Sequence, residues 1–98
     1  MHSLPTTYLK IEDTKNLLTE LDLSDIHFDH PVQVVISPTF VLMVLWGVSI
    51  DANDRLWVRS NRKDEIEVNN SLLYSQFILS ALNTYLNDLL EKRKSLFN

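Results

Sequence analysis

The densest cluster of possible metal ligands in the sequence is Asp25-Ile26-His27-Phe28-Asp29-His30. Two imidazoles three residues apart, His27 and His30, could share a face with a neighbouring carboxylate, which is a donor set that zinc accepts. A catalytic zinc also needs a third ligand and hydrogen bonds that orient the ligands, and the sequence identifies neither. We therefore assign no metal site. A metal-dependent activity at His27 and His30 stays a minor alternative to ordinary loop histidines.

A second group of residues could contact nucleic acid. The only strip that combines basic and aromatic side chains is Arg55, Trp57, Arg59, Arg62 and Lys63. An aromatic ring can stack on a base while cationic groups contact phosphates. However, five acidic residues flank the strip, and the chain carries a formal net charge of −4, which repels phosphate. A nucleic-acid-binding regulator is thus an alternative that the charge disfavours.

Several kinds of catalysis lack the residues that they need. The chain has no cysteine, which removes thiolate nucleophiles and cysteine-ligated metals, and Gly47 is its single glycine. Loops that cradle phosphates need several glycines. Serine, histidine and aspartate occur without a nucleophile elbow or a paired-carboxylate spacing. We expect no enzyme, no catalytic residue and no cofactor, and we expect Gly47 to make room for a tryptophan or to mark a β-bulge.

Length and composition indicate one globular domain over residues 1–98, with 45% hydrophobic and 22% charged residues. The N-terminal residues show no pattern of a secretory signal, so none is expected, and the apolar run 40–48 is far shorter than the roughly 20 residues of a membrane-spanning helix. With no cysteine, the chain is expected to be cytoplasmic and to have no membrane partner. A chain this short buries a thin core, which favours an oligomer.

Hydrophobic patterning predicts an α+β fold of the order α-β-β-β-α. The predicted strands form a three- or four-stranded antiparallel meander from residues 32–37, 40–50, 56–60 and, as a possible fourth, 65–68. Residues 24–30 are expected to form a loop, and Asp and Asn in 51–54 supply the turn chemistry that glycine often gives.

Two helices flank the predicted sheet. A short one begins at Asp13 or Thr14 and ends near Leu23, while residues 6–12 could extend it or form a strand. A long one begins within 69–71 and ends near Lys94, with leucines and aromatics along it. We expect the sheet to pack on the long helix, with the short helix elsewhere on the sheet.

Strand alternation divides the predicted sheet into two faces. The first is apolar or small throughout: Val32, Val34, Ile36, Val41, Met43, Leu45, Gly47, Ser49, Leu56 and Val58. The second mixes tryptophan and arginine with aliphatics: Gln33, Val35, Leu42, Val44, Trp46, Val48, Ile50, Arg55, Trp57 and Arg59. This register places Trp46 opposite Arg59 and Val48 opposite Trp57.

The second face is the predicted partner-binding surface, with Trp46, Val48, Arg55, Trp57 and Arg59 as its contact residues. Tryptophan and arginine are enriched at the energetic centres of protein interfaces. The expected function is a small non-enzymatic interaction, adaptor or regulatory module that forms a homodimer or binds another protein. The competing interpretation is that the short N-terminal helix covers this face within the monomer.

Overall fold

A computed structural model describes residues 8–96 of the chain, in which two helices flank four strands in sequence. The elements are α1 (Ile11–Glu20), β1 (Asp25–Ser37), β2 (Phe40–Ile50), β3 (Leu56–Ser60), β4 (Ile66–Val68) and α2 (Ser75–Leu96). The strands form one antiparallel sheet in the order β1-β2-β3-β4. The predicted α+β meander is confirmed, and the fourth strand is present. Neither helix is long and apolar enough to cross a membrane.

Both helices pack on the same face of the sheet. Leu18 of α1 and Leu82 of α2 are fully buried in one core with Val58 of β3. The Thr14 hydroxyl of α1 donates a hydrogen bond to the Asn83 side chain of α2, which ties the helices together. The short helix therefore lies beside α2 and does not cover the second face, contrary to the competing interpretation above.

A β-bulge in β2 changes the predicted faces. Leu45 pairs with Ser60 and Gly47 pairs with Arg59, so Trp46 and Gly47 together oppose one residue of β3. Leu45 and Val48 are both fully buried although they are three residues apart. The two residues between them therefore lie on the opposite side of the sheet. Beyond the bulge, the alternation is inverted.

The predicted register across β2 and β3 was consequently wrong by one residue. Gly47 lies opposite Arg59, Ser49 lies opposite Trp57, and Val48 lies opposite Val58. Val48 and Ile50 thus belong to the face that the helices cover. Gly47 and Ser49 belong to the other face.

The first strand is longer than predicted. β1 begins at Asp25, so most of the predicted loop 24–30 is strand. Its pairing with β2 is interrupted between His27 and Val32, where β1 carries extra residues. A run of mixed polar and apolar residues ahead of a proline resembles a loop in sequence, and the pairing of residues 25–27 with β2 extends the strand back to Asp25.

The helix boundaries also differ from the prediction. α1 begins at Ile11 after Lys10, whose backbone N–H donates to the Asp13 carboxylate at 3.1 Å. Within 6–12, residues 6 and 7 lie outside the described part, 8–10 are irregular, and 11 and 12 are helical. α2 begins at Ser75 and not within 69–71, because Tyr74 has a left-handed backbone with φ of 67° that a helix cannot include.

Candidate protein-interaction surface

The face of the sheet opposite the helices carries no helix within residues 8–96. We call it the open face. Strand pairing and alternation place on it Asp25, His27, Gln33, Val35, Val41, Val44, Trp46, Gly47, Ser49, Trp57, Arg59 and Glu67. It has an apolar part near the β1–β2 turn and a polar part at the opposite end of the strands.

The apolar part, which we call the apolar zone, consists of Val35, Val41, Val44 and Trp46. The exposed fractions are 47% for Val35, 41% for Val41 and 42% for Trp46, and Phe40 beside the turn is 51% exposed. The zone lies within residues 31–50, which contain no charged residue. Clustered exposed apolar side chains without charge are typical of a surface that another protein covers.

The strand β3 ends before it reaches the apolar zone, and a loop completes the hydrogen bonding of β2. The Asn61 backbone N–H donates to the Val44 carbonyl at 3.1 Å, and the Val44 N–H donates to Asn61 Oδ1 at 3.0 Å. Arg62 Nε donates to the Leu42 carbonyl at 2.7 Å. Asn61 and Arg62 therefore support the half of β2 that carries the zone. This role was not predicted, because hydrogen bonds between a loop and the backbone of a strand leave no pattern in the sequence.

The polar part is organised by Arg59, whose guanidinium crosses β2 to reach β1. Arg59 Nη2 donates to Asp25 Oδ1 at 2.8 Å and to the Ile26 carbonyl at 3.1 Å. Its path passes over Gly47, where a Cβ atom would overlap the guanidinium and lie 2.6 Å from the Ile26 carbonyl oxygen. Gly47 adjoins the predicted bulge, but the side chain for which it makes room is Arg59 and not a tryptophan.

Asp51 fixes both the β2–β3 turn and the indole of Trp57. Its Oδ1 accepts hydrogen bonds from the backbone N–H groups of Asn53 at 2.8 Å and Arg55 at 3.0 Å. Its Oδ2 accepts from Trp57 Nε1 at 2.8 Å. The hydrogen bond from the Arg55 backbone N–H has the largest effect on the Asp51 carboxyl and lowers its pKa below the ordinary value of 3.8. The hydrogen bond from the Trp57 indole lowers this pKa further. The carboxylate thus holds Trp57 in one orientation on the open face.

The lowered pKa of Asp51 predicts a stability that depends on acid pH. A depressed folded-state pKa gives stability that is present above the unfolded-state pKa near 3.8 and is lost as the pH falls through the folded-state value. Urea denaturation midpoints should therefore fall below about pH 4 in the wild type. Asp51→Asn should lower the midpoint at neutral pH and flatten this dependence, whereas the exposed-residue control Asp64→Asn should keep it. Equal acid dependence in the wild type and Asp51→Asn would contradict the prediction.

The structure brings four of the five predicted contact residues to the open face or its rim. Trp46 is exposed in the apolar zone, Trp57 and Arg59 are half-buried in the polar part, and Arg55 is exposed in the turn that precedes β3. The prediction that Val48 is a contact residue was wrong, because its side chain is fully buried beneath the helices and cannot touch a partner.

The basic strip is largely engaged within the chain. Trp57 is bonded to Asp51, Arg59 to Asp25, and Arg62 to the Leu42 carbonyl. One side-chain nitrogen of each of these three residues is thus used in holding the sheet, which reduces what the strip can offer to phosphates.

The two candidate metal ligands are separated by the sheet. His27 pairs with Gly47 on the open face, whereas the His30 ring lies on the helix side, with its centre 6.1 Å from that of Tyr85 in α2. Residues an odd number apart on a strand point to opposite faces. Among residues 8–96, no group of three histidine or acidic side chains could hold a metal ion.

Comparison with known proteins gives no match: no family model, no curated protein and no solved structure is significantly similar to this chain. The fold and the open face are therefore the observations from which a function can be argued. They describe a small α+β protein in which both helices of residues 8–96 lie on one side of the sheet.

Proposed function

We propose that this chain is a small non-enzymatic protein-interaction module, of the adaptor or regulatory kind, that acts as a homodimer and binds a partner through the open face. The single observation that carries the proposal is that both helices pack on one face while Trp46, Val35 and Val41 are exposed on the other. A cytoplasmic location is part of the proposal and is supported by the absence of cysteine from the sequence.

The composition of the open face supports this function. Trp46 offers a large flat apolar surface, and truncation of such residues at interface centres typically costs about 2 kcal/mol or more of binding free energy. Trp57 and Arg59 are already held by Asp51 and Asp25. Side chains that are fixed before binding lose less conformational entropy when a partner docks.

Replacing Trp46 with glutamate tests the open face. We expect the immobilised wild-type chain to retain a partner from native cell extract, and Trp46→Glu to lose it, since a carboxylate would be desolvated at the centre of the interface. The matched control is Leu73→Glu, which introduces the same charge at a residue that is 72% exposed in the segment before α2. Equal retention by all three proteins would reject binding at the open face.

The homodimer part of the proposal has its own measurement. Sedimentation equilibrium should give about twice the mass of one chain. The mass of a single chain at every concentration would contradict it without affecting the result at the open face.

A further inference from the structure

The outer edge of β1 is the second surface of this sheet that a partner could use. β1 is the first strand in the order β1-β2-β3-β4 and pairs with β2 alone among the described strands. An outermost strand presents N–H and C=O groups that can pair with another chain. Which residues present them follows from the hydrogen bonds of β2.

Val44 identifies the outward residues of β1. Both backbone groups of Val44 bond to Asn61 on the β3 side. In an antiparallel sheet the N–H and C=O of one residue point towards the same neighbouring strand, so the backbone groups of Val44 point away from β1. Gln33 is paired with Val44, and its own N–H and C=O must therefore point away from β2. Because the direction of the backbone groups alternates along a strand, the N–H and C=O of Val35 point away from β2 as well.

The outward groups have no partner in the part of the chain that the structure describes. Within residues 8–96, no hydrogen bond reaches the backbone of Gln33 or Val35 from outside the β1–β2 pair. Edge strands are usually protected by charged residues, prolines or bulges. The segment 32–37, Val-Gln-Val-Val-Ile-Ser, contains no charged residue and no proline. Its one bulged residue is Ile36, which lies after residues 32–35. Residues 32–35 are thus competent to pair.

A second strand has space to approach. The groove between the β1 edge and α2 has a volume of about 440 Å³ and is lined by Val32 and Gln33 on one side and Ala81, Thr84 and Asp88 on the other. The helix therefore lies beside the edge without closing it.

We infer that the edge of β1 pairs with the β1 edge of a second copy of this chain, antiparallel about a two-fold axis at Val34. Gln33 of each copy then exchanges backbone hydrogen bonds with Val35 of the other. This inference rests on the proposed function in one respect, namely that the chain forms a homodimer. It gives an eight-stranded sheet in which the two open faces lie side by side and remain available to a partner.

The edge is complementary to a second copy of itself, because its two outward residues, Gln33 and Val35, lie symmetrically about Val34. Each chain has a net charge of −4, so two copies repel each other least where they carry no charge, and residues 31–50 are uncharged. In the register about Val34, Asp29 of one copy lies opposite Thr39 of the other. Among the residues of β1 and the β1–β2 turn, no acidic residue then faces another acidic residue across the axis.

Gln33→Pro tests the edge, because proline removes an N–H that this pairing uses and that has no hydrogen-bond partner among residues 8–96. The loss of two hydrogen bonds per dimer should raise the dissociation constant of the dimer about thirty-fold, which corresponds to about 2 kcal/mol of binding free energy. Gln33→Ala keeps the N–H and should keep the dimer, and so should Trp46→Glu. Mass by sedimentation equilibrium is the readout, with circular dichroism as the check on folding.

The outcomes separate this inference from the proposed function. A dimeric Gln33→Pro protein would overturn the edge pairing. A monomeric Trp46→Glu protein would assign self-association to the open face instead. Should Gln33→Pro fail to fold, hydrogen exchange on the wild type decides: the Gln33 and Val35 amides should become protected as concentration rises, and concentration-independent exchange would overturn the inference.

Discussion

Val48→Glu should unfold the protein, whereas Trp46→Glu, two residues earlier in the same strand, should leave it folded. Val48 is fully buried in the core beneath the helices, while Trp46 is 42% exposed on the open face. A buried glutamate has its pKa raised by up to about 3–5 units, and each unit costs about 1.4 kcal/mol. That cost is comparable with the whole stability of a small domain, about 5–15 kcal/mol.

Circular dichroism and thermal denaturation of the two variants measure this difference. In a regular strand, residues 46 and 48 would share a face, and the two substitutions would have similar effects. Unequal effects in the stated direction are expected only if the bulge at Trp46 and Gly47 inverts the alternation. Two folded variants, or two unfolded ones, would contradict the bulge.

Gly47→Ala should destabilise the protein by about 1–3 kcal/mol, the usual cost of forcing an extra carbon into filled space. The added Cβ would overlap the Arg59 guanidinium and lie 2.6 Å from the Ile26 carbonyl oxygen. Gly47 does not have a positive φ, so the cost comes from space and not from backbone conformation. Urea denaturation should show a lower midpoint with an unchanged slope.

A double-mutant cycle with Arg59→Ala isolates the cause. Removing the guanidinium takes away one of the two close contacts and leaves the one with Ile26. Adding Gly47→Ala to Arg59→Ala should therefore cost less than adding it to the wild type. Equal costs in both backgrounds would show that Arg59 does not need the space above Gly47.

The polar and apolar parts of the open face meet at Gly47. Gly47 follows Trp46 in the bulge and lies beneath the guanidinium that joins β3 to β1. A substitution at Gly47 would thus disturb the Asp25–Arg59 ion pair and the strand that carries Trp46. Binding assays on Gly47 variants should for this reason be compared with Trp46→Glu at equal folded fraction.

The extended and turn segments were the most predictable features. The bounds of β2 and β3 agree with the sequence analysis, because β-branched and aromatic runs ended at clusters of Asp, Asn and Ser. The start of α2 was not predictable, since the residues of 69–71 are good caps and nothing in the sequence marks the left-handed Tyr74. The strand character of residues 25–27 depends on pairing with β2 and leaves a weak local pattern.

The candidate surface was predictable in part. Trp46, Arg55, Trp57 and Arg59 lie on the open face or at its rim as alternation indicated, while Val48 does not. The error has one source, because a single extra residue in β2 reverses every side chain that follows it in the strand. The predicted alternation placed Val35 and Val41 on different faces of the sheet. In the structure, a second irregularity in the β1–β2 pairing puts both residues on the open face.

By itself, the sequence determined the fold class and the order of the elements, because composition, local patterning and turn residues act over short distances along the chain. Only the tertiary structure decided that both helices cover one face, that a bulge turns Val48 inward, and that the backbone N–H and C=O of Gln33 point away from β2. Those features depend on contacts between residues far apart in the chain, such as Thr14 with Asn83 and Val44 with Asn61, for which no local pattern exists.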